Sequence, residues 1–156
     1  ISLPFRLDPA ARARAEARQT AQPVAAGPDI RGAKVLLVED NDLNMEIAQF
    51  LLENEGAIVT RAWNGQQALE AFEASEPGTF DVILMDVMMP VMGGLEATRR
   101  IRALPRPDAA TVPIFAMTAN AFQDDIERSR AAGMNEHLTK PLESQQLITM
   151  IARYRR

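Results

Sequence analysis

Asp81-Val82-Ile83-Leu84-Met85-Asp86-Val87-Met88-Met89-Pro90-Val91-Met92-Gly93-Gly94 holds most of the information about the fold. Four apolar residues, Val82 to Met85, end abruptly at an acid. The run is too short for a helix and apolar at both alternations, which suits a strand buried on both faces. Pro90 and the Gly93-Gly94 pair break the chain into a loop. Leu95 and Ile101 then fall at helical spacing, and Pro105 and Pro107 stop that helix.

The same unit recurs on either side. Upstream, Val35-Leu36-Leu37-Val38 is a short apolar run that ends in Glu39-Asp40. Asp42 is a candidate cap for a helix whose apolar face would be Leu43, Ile47, Phe50 and Leu51, with Gly56 at its end. Ala57 to Thr60 reads as a second strand, Asn64-Gly65 as a turn, and Gln66 to Ala74 as a helix with Ala68, Leu69 and Phe72 inward. Downstream, Ile114 to Met117 reads as a fourth strand and Ala121 to Ala132 as a helix closed by Gly133. Glu136 to Thr139 is a short fifth strand. A last helix follows Pro141-Leu142, with Leu147, Ile148 and Ile151 inward. Strand and helix alternate five times. Right-handed crossovers then predict an α/β fold, a doubly wound five-stranded parallel sheet.

Composition narrows the chemistry. The 156 residues allow one globular domain with a substantial core, and 47% are hydrophobic. A net charge of -4 disfavours a non-specific nucleic-acid or membrane binder. With no cysteine, disulfides, zinc thiolates and thiol nucleophiles are excluded, and the single histidine, His137, excludes a His-rich metal site. No apolar run approaches a membrane span and no signal peptide is visible. The chain begins at Ile1 and reads as a fragment or a processed chain. Residues 1–31 carry five arginines against three acids, net +2, and the remainder is -6. We expect residues 1–31 to be a linker or tail, with a short helix from Asp8-Pro9 through Arg18, and residues 32–156 to be the folded domain.

In a doubly wound sheet, ligands bind outside the carboxyl ends of the strands. Glu39 and Asp40 follow the first strand, Asp86 ends the third, Thr118 follows the fourth and Lys140 the fifth. Three clustered carboxylates call for a cation, and an all-oxygen donor set suits a hard one such as Mg²⁺. Lys140 and Thr118 can hold phosphate oxygens. One carboxylate can accept a phosphoryl group as an acyl phosphate.

Five ordered motifs carry a family resemblance. They are Leu37-Val38-Glu39-Asp40-Asn41, Ala62 to Leu69, Asp81 to Gly94, Met117-Thr118-Ala119-Asn120-Ala121, and Ala132-Gly133-Met134 with Leu138-Thr139-Lys140-Pro141-Leu142. From Lys34 onward the chain resembles the receiver domain of two-component response regulators, a flavodoxin-like (βα)5 fold. The resemblance implies that Asp86 accepts phosphate from a phosphohistidine. Mg²⁺, or Mn²⁺, would be held by Asp40, Glu39, Asp86 and the backbone carbonyl of Met88. Thr118 and Lys140 would contact the phosphoryl group, and Lys140-Pro141 would be a cis peptide. Thr118 and His137 would be switch residues that reshape the surface of the fourth helix, fifth strand and fifth helix.

The segment Asp40 to Met45 looks most like receivers fused to hybrid sensor kinases. Ser2-Leu3-Pro4-Phe5 resembles the closing strand of a kinase ATPase domain, so residues 1–31 would be its end plus a linker helix. The implied partner is a histidine-containing phosphodonor, either a kinase core or a phosphotransfer domain. No nucleic-acid or membrane contact is implied. The expected location is cytoplasmic and the expected state a monomer, with a weak dimer through the fourth-helix face as the alternative. The chain would be a phosphoacceptor with self-phosphorylation and self-dephosphorylation chemistry rather than a turnover enzyme.

Three departures stand out. His137 occupies a position that the family fills with Tyr or Phe, and Gly93 one where Asp is usual. Met88, two residues after Asp86, leaves no polar group to orient water, which predicts a longer-lived phosphoryl group than a polar residue would allow. Met85, Met88, Met89, Met92 and Met117 are expected to pack in the core and the loop. Other readings are a degenerate receiver serving only as an interaction or autoinhibitory module, an aspartate-nucleophile phosphatase, and a flavodoxin-like cofactor binder. The phosphatase would need an acid at Met88, and the cofactor binder a Gly/Ser/Thr-rich loop at Glu39-Asp40-Asn41.

Overall fold

A computed structural model describes residues 29–89, 91–119 and 123–154. The helix and kinase-strand remnant expected within residues 1–28 lie outside the described residues. Strands β1 (Lys34–Val38), β2 (Ile58–Ala62), β3 (Val82–Asp86), β4 (Ile114–Thr118) and β5 (Glu136–Thr139) form one sheet. Its order is β2-β1-β3-β4-β5 and every pairing is parallel. The helices between and after them are α1 (Asp42–Glu53), α2 (Gly65–Ala74), α3 (Gly94–Arg102), α4 (Gln123–Ala132) and α5 (Ser144–Tyr154). Pro107 starts a short 3₁₀ turn, Pro107–Ala109, that the sequence pattern did not indicate.

Strand burial explains the order. β3 and β4 are buried at every residue, as strands covered on both faces must be. β2 and β5 lie at the edges and are partly exposed. Successive residues of β1 feed opposite faces. Val35 and Leu37 join Met45 and Leu52 of α1 and Leu147 and Ile151 of α5 in one core. Leu36 and Val38 join Leu69 and Phe72 of α2 and Ala97 and Ile101 of α3 in the other. Ile30, two residues before the expected boundary at 32, is 1% exposed and belongs to the first core.

Two expectations for α1 need correction. Its cap is Asn41, not Asp42: Asn41 is extended and its side chain accepts from the Asn44 amide at 2.9 Å, while Asp42 is already helical. Its buried face is Met45, Ala48 and Leu52. Leu43, Ile47 and Phe50 are exposed at 64%, 47% and 67%, and Leu51 is half-buried. The helix carries two apolar stripes, both at helical spacing, and periodicity alone does not say which one the sheet covers.

The chain reverses direction across the sheet between β1 and β3, so the carboxyl ends of those strands flank the topological switch point. Close backbone approach keeps this rim compact. Gly65 donates its amide to the Met92 carbonyl at 2.9 Å and Gly94 donates to the Val87 carbonyl at 3.0 Å. A Cβ on Gly94 would lie 2.3 Å from the backbone oxygen of Asp86. Gly→Ala within a helix is ordinarily favourable by about 1 kcal/mol. At Gly94 the sign reverses, because the opposing atom is backbone. We expect Gly94→Ala to lower stability by about 2–4 kcal/mol in urea unfolding, and a neutral or stabilising result would contradict this packing account.

Candidate functional site

The strand ends bring the anticipated residues together around one cleft of about 310 Å³. Glu39 follows β1 and is 2% exposed, whereas its neighbour Asp40 is exposed. Asp86 ends β3 at 5% exposure, and Thr118 ends β4 at 9%. One carboxylate oxygen from each of Glu39, Asp40 and Asp86 lies within 4.8 Å of the others. Lys140 follows β5 and reaches back across the cleft. Its Nζ is 2.7 Å from Glu39 Oε2 and 3.1 Å from Asp86 Oδ2.

Backbone groups fix these side chains. The Lys140 amide donates to the Thr118 carbonyl at 2.8 Å, which ties the two strand ends together. The Lys140-Pro141 peptide bond is cis. The Met88 amide donates to Asp86 Oδ1, and the Asn41 amide to Glu39 Oε1, both at 3.3 Å. The sequence reading placed Asn41 and Asn44 in motifs but gave neither a role at the cleft, which both line. Their signal was an Asn-x-x-Asn cap pattern directly after the acid pair.

The electrostatics are unfavourable without a cation. Burial raises the Asp86 pKa, and the hydrogen bond and charge of Glu39 raise it further. Lys140 opposes both, and the carboxyl still ends at about 7, far above its ordinary 3.8. Burial lowers the Lys140 pKa, but its pairing with Glu39 and Asp86 outweighs this and leaves it raised. One ammonium among three carboxylates leaves an excess of negative charge at the cleft. A hard divalent cation, which takes oxygen ligands and keeps several waters, fits such a donor set.

Behind the cleft lies a second cavity of about 390 Å³. Thr118, Met88 and half-buried His137 line it, together with Leu95 of α3 and Arg128 and Ser129 of α4. Met88 departs from expectation. It is 78% exposed rather than packed in the core or loop, because the chain turns outward directly after Asp86.

The family model for the response regulator receiver domain matches residues 35–152. The chain belongs to the receiver-domain family. Hybrid signal transduction histidine kinase I of Dictyostelium discoideum is 38% identical over 120 residues, which is 76% of this chain and 7% of that protein. The sensor protein GacS of Pseudomonas syringae is 37% identical over 131 residues, covering 82% of this chain and 14% of the relative. The chain therefore spans only a small part of these kinases. A receiver domain of a sensor histidine kinase from Pseudomonas aeruginosa, crystallised with magnesium coordinated in its active-site cleft, is 41% identical. Its TM-score is 0.71, covering 79% of this chain and 97% of that one. A chemotaxis response regulator of Vibrio cholerae superposes with a TM-score of 0.71 at 29% identity, covering 79% and 98%. The five-stranded parallel sheet is thus the receiver fold. Among the described residues, no helix is long and apolar enough to cross a membrane.

The raised Asp86 pKa sets a pH dependence. Folded protein binds this proton more tightly than unfolded protein, so the burden on stability is absent below about pH 4, grows as pH rises, and is complete above about pH 7. A shift of roughly three units corresponds to at most about 4 kcal/mol. Asp86→Asn removes the burden but also one partner of Lys140. We expect it to be more stable than wild type by about 1–3 kcal/mol at pH 8 in a chelating buffer. The gain should shrink towards pH 5. Urea unfolding at the two pH values checks this, and an equal difference at both would refute it.

Proposed function

We propose that this receiver is the phosphoacceptor module of a two-component phosphorelay, with Asp86 as the acceptor. The observation that supports it most is the placement of a nearly buried Asp86 between one ammonium and two further carboxylates. In the proposed reaction an Asp86 oxygen attacks the phosphorus of a phosphohistidine. The P–N bond breaks, its electron pair leaves with the imidazole nitrogen, and an acyl phosphate remains.

Glu39, Asp40 and Asp86, with the Met88 backbone carbonyl, would hold Mg²⁺ or Mn²⁺. The ion supplies charge neutralisation at the phosphoryl oxygens. Lys140 then exchanges its carboxylate partners for a phosphoryl oxygen, and Thr118 donates its hydroxyl to another. Such transfer needs mainly positioning and opposite charge. An exposed thioether at Met88 offers no general acid for turnover, which weighs against a phosphatase. Thr118 and His137 share the wall of the 390 Å³ cavity, which gives room for the two to move together as a switch.

The phosphodonor would be a histidine-bearing helix of a kinase core or phosphotransfer domain, in the cytoplasm. Its docking face would be the outward stripe of α1. Ile47, with Asn44, lines a small hollow shared with Lys140, Pro141 and Leu142, so the stripe adjoins the cleft. A helix seated on Leu43, Ile47 and Phe50 would cover apolar surface and deliver its histidine to the rim.

Intact-mass spectra after incubation with acetyl phosphate and Mg²⁺ test the central role. We expect one phosphoryl adduct on the wild type, absent from Asp86→Ala and prevented by chelator. Persistence of the adduct in Asp86→Ala would exclude Asp86 as the acceptor. For the docking face, Phe50→Asp should slow transfer from a histidine kinase core on the order of tenfold more than it slows phosphorylation by acetyl phosphate. Equal effects on both rates would remove α1 as the docking surface.

A further inference from the structure

The chain has eight methionines, and they differ sharply in exposure. Met45, Met85, Met92, Met117 and Met134 are at most 9% exposed. Met89 and Met150 are half-buried, and Met88 alone is exposed, at 78%. Its position is also singular. Its amide donates to Asp86 Oδ1, and the residue lines both the acid cleft and the cavity behind it. Oxidation of thioethers follows exposure, and the product is a polar sulfoxide that cellular reductases reverse.

We propose that Met88 is a redox modification site, oxidised to the sulfoxide by peroxides, and that the sulfoxide shortens the lifetime of the phosphoryl group on Asp86. The lifetime effect rests on the phosphoacceptor reading above, and the oxidation itself does not. In the step, the sulfur lone pair attacks one oxygen of hydrogen peroxide. The O–O bond breaks, an S–O bond forms, and the second oxygen leaves as water after taking up the proton. Sulfur loses two electrons and the peroxide gains two.

The change in polarity links the two effects. A thioether is a weak acceptor that holds no water in place. An acyl phosphate at Asp86 is lost when water attacks phosphorus, and an apolar side chain at the rim does nothing to orient that water. A sulfoxide oxygen accepts strongly and keeps a water beside the phosphoryl group. The buried methionines cannot substitute, because their sulfurs lie in the two cores and are reached only when the protein opens.

The full chain treated with dilute hydrogen peroxide and mapped by peptide mass should gain its first oxygen at Met88. After phosphorylation with acetyl phosphate and Mg²⁺, intact mass should show the oxidised protein losing phosphate several-fold faster than the untreated protein. Methionine sulfoxide reductase should restore the longer lifetime. Met88→Gln, a polar mimic, should show the short lifetime without peroxide. Met88→Leu should show the same lifetime with and without peroxide. A first oxygen on any other methionine overturns the modification site, and equal lifetimes before and after oxidation at Met88 overturn its coupling to Asp86. If the unoxidised chain takes no phosphoryl group from acetyl phosphate or from a histidine kinase core, the phosphoacceptor reading falls. The lifetime effect falls with it, while the peptide map still decides the oxidation.

Discussion

Lys140 holds two nearly buried carboxylates that would otherwise repel one another, and much of the structure is arranged around that contact. Its ammonium is 2.7 Å from Glu39 and 3.1 Å from Asp86, residues that end or follow different strands. Leaving such carboxylates unpaired would cost several kcal/mol, far more than a surface ion pair is worth. The sheet order is what makes the contact available. β1 and β3 are neighbours at the switch point, and β5 reaches them across β4. The ion pair is therefore the place where the long-range topology of the fold becomes local chemistry.

That contact is incomplete compensation, and the shortfall is informative. With Asp40 also within reach, one positive charge faces three negative ones, and the Asp86 carboxyl is pushed up to about 7. The cluster is a preorganised demand for positive charge, and its oxygen donors suit a divalent ion. The neighbour crystallised with magnesium in its cleft is consistent with the same demand.

The strands, and the gathering of Glu39, Asp40, Asp86, Thr118 and Lys140 at one rim, were legible because each leaves a short-range trace. Central strands read as unbroken apolar runs, and chemistry-bearing residues stand directly after them. The α1 face was not legible. Leu43, Ile47 and Phe50 repeat at helical spacing as well as Met45, Ala48 and Leu52 do. Which stripe meets the sheet depends on the angle at which Asn41 launches the helix. Met88 was obscured for a related reason, since exposure after a strand end depends on where the loop turns. The 3₁₀ turn at Pro107 was missed because Pro105 and Pro107 signal a helix stop and leave the conformation beyond it open.

Two locally unfavourable features lie at the rim of the cleft, and a third runs along the helix that leaves it. Asp86 is buried with a like-charged neighbour. Val91 is a β-branched residue at φ 69°, a left-handed conformation that ordinarily disfavours such side chains by about 1–3 kcal/mol. Phe50, Leu43 and Ile47 leave apolar surface in water on the helix that borders the cleft. Much of the described chain obeys its local preferences: apolar residues fill both cores, and the caps of α1 and α2 are made by Asn41 and Asn64. Scattered exceptions would read as imperfect packing. Asp86 and Val91 stand at or just after the end of β3, so local preference yields there to the arrangement of the cleft.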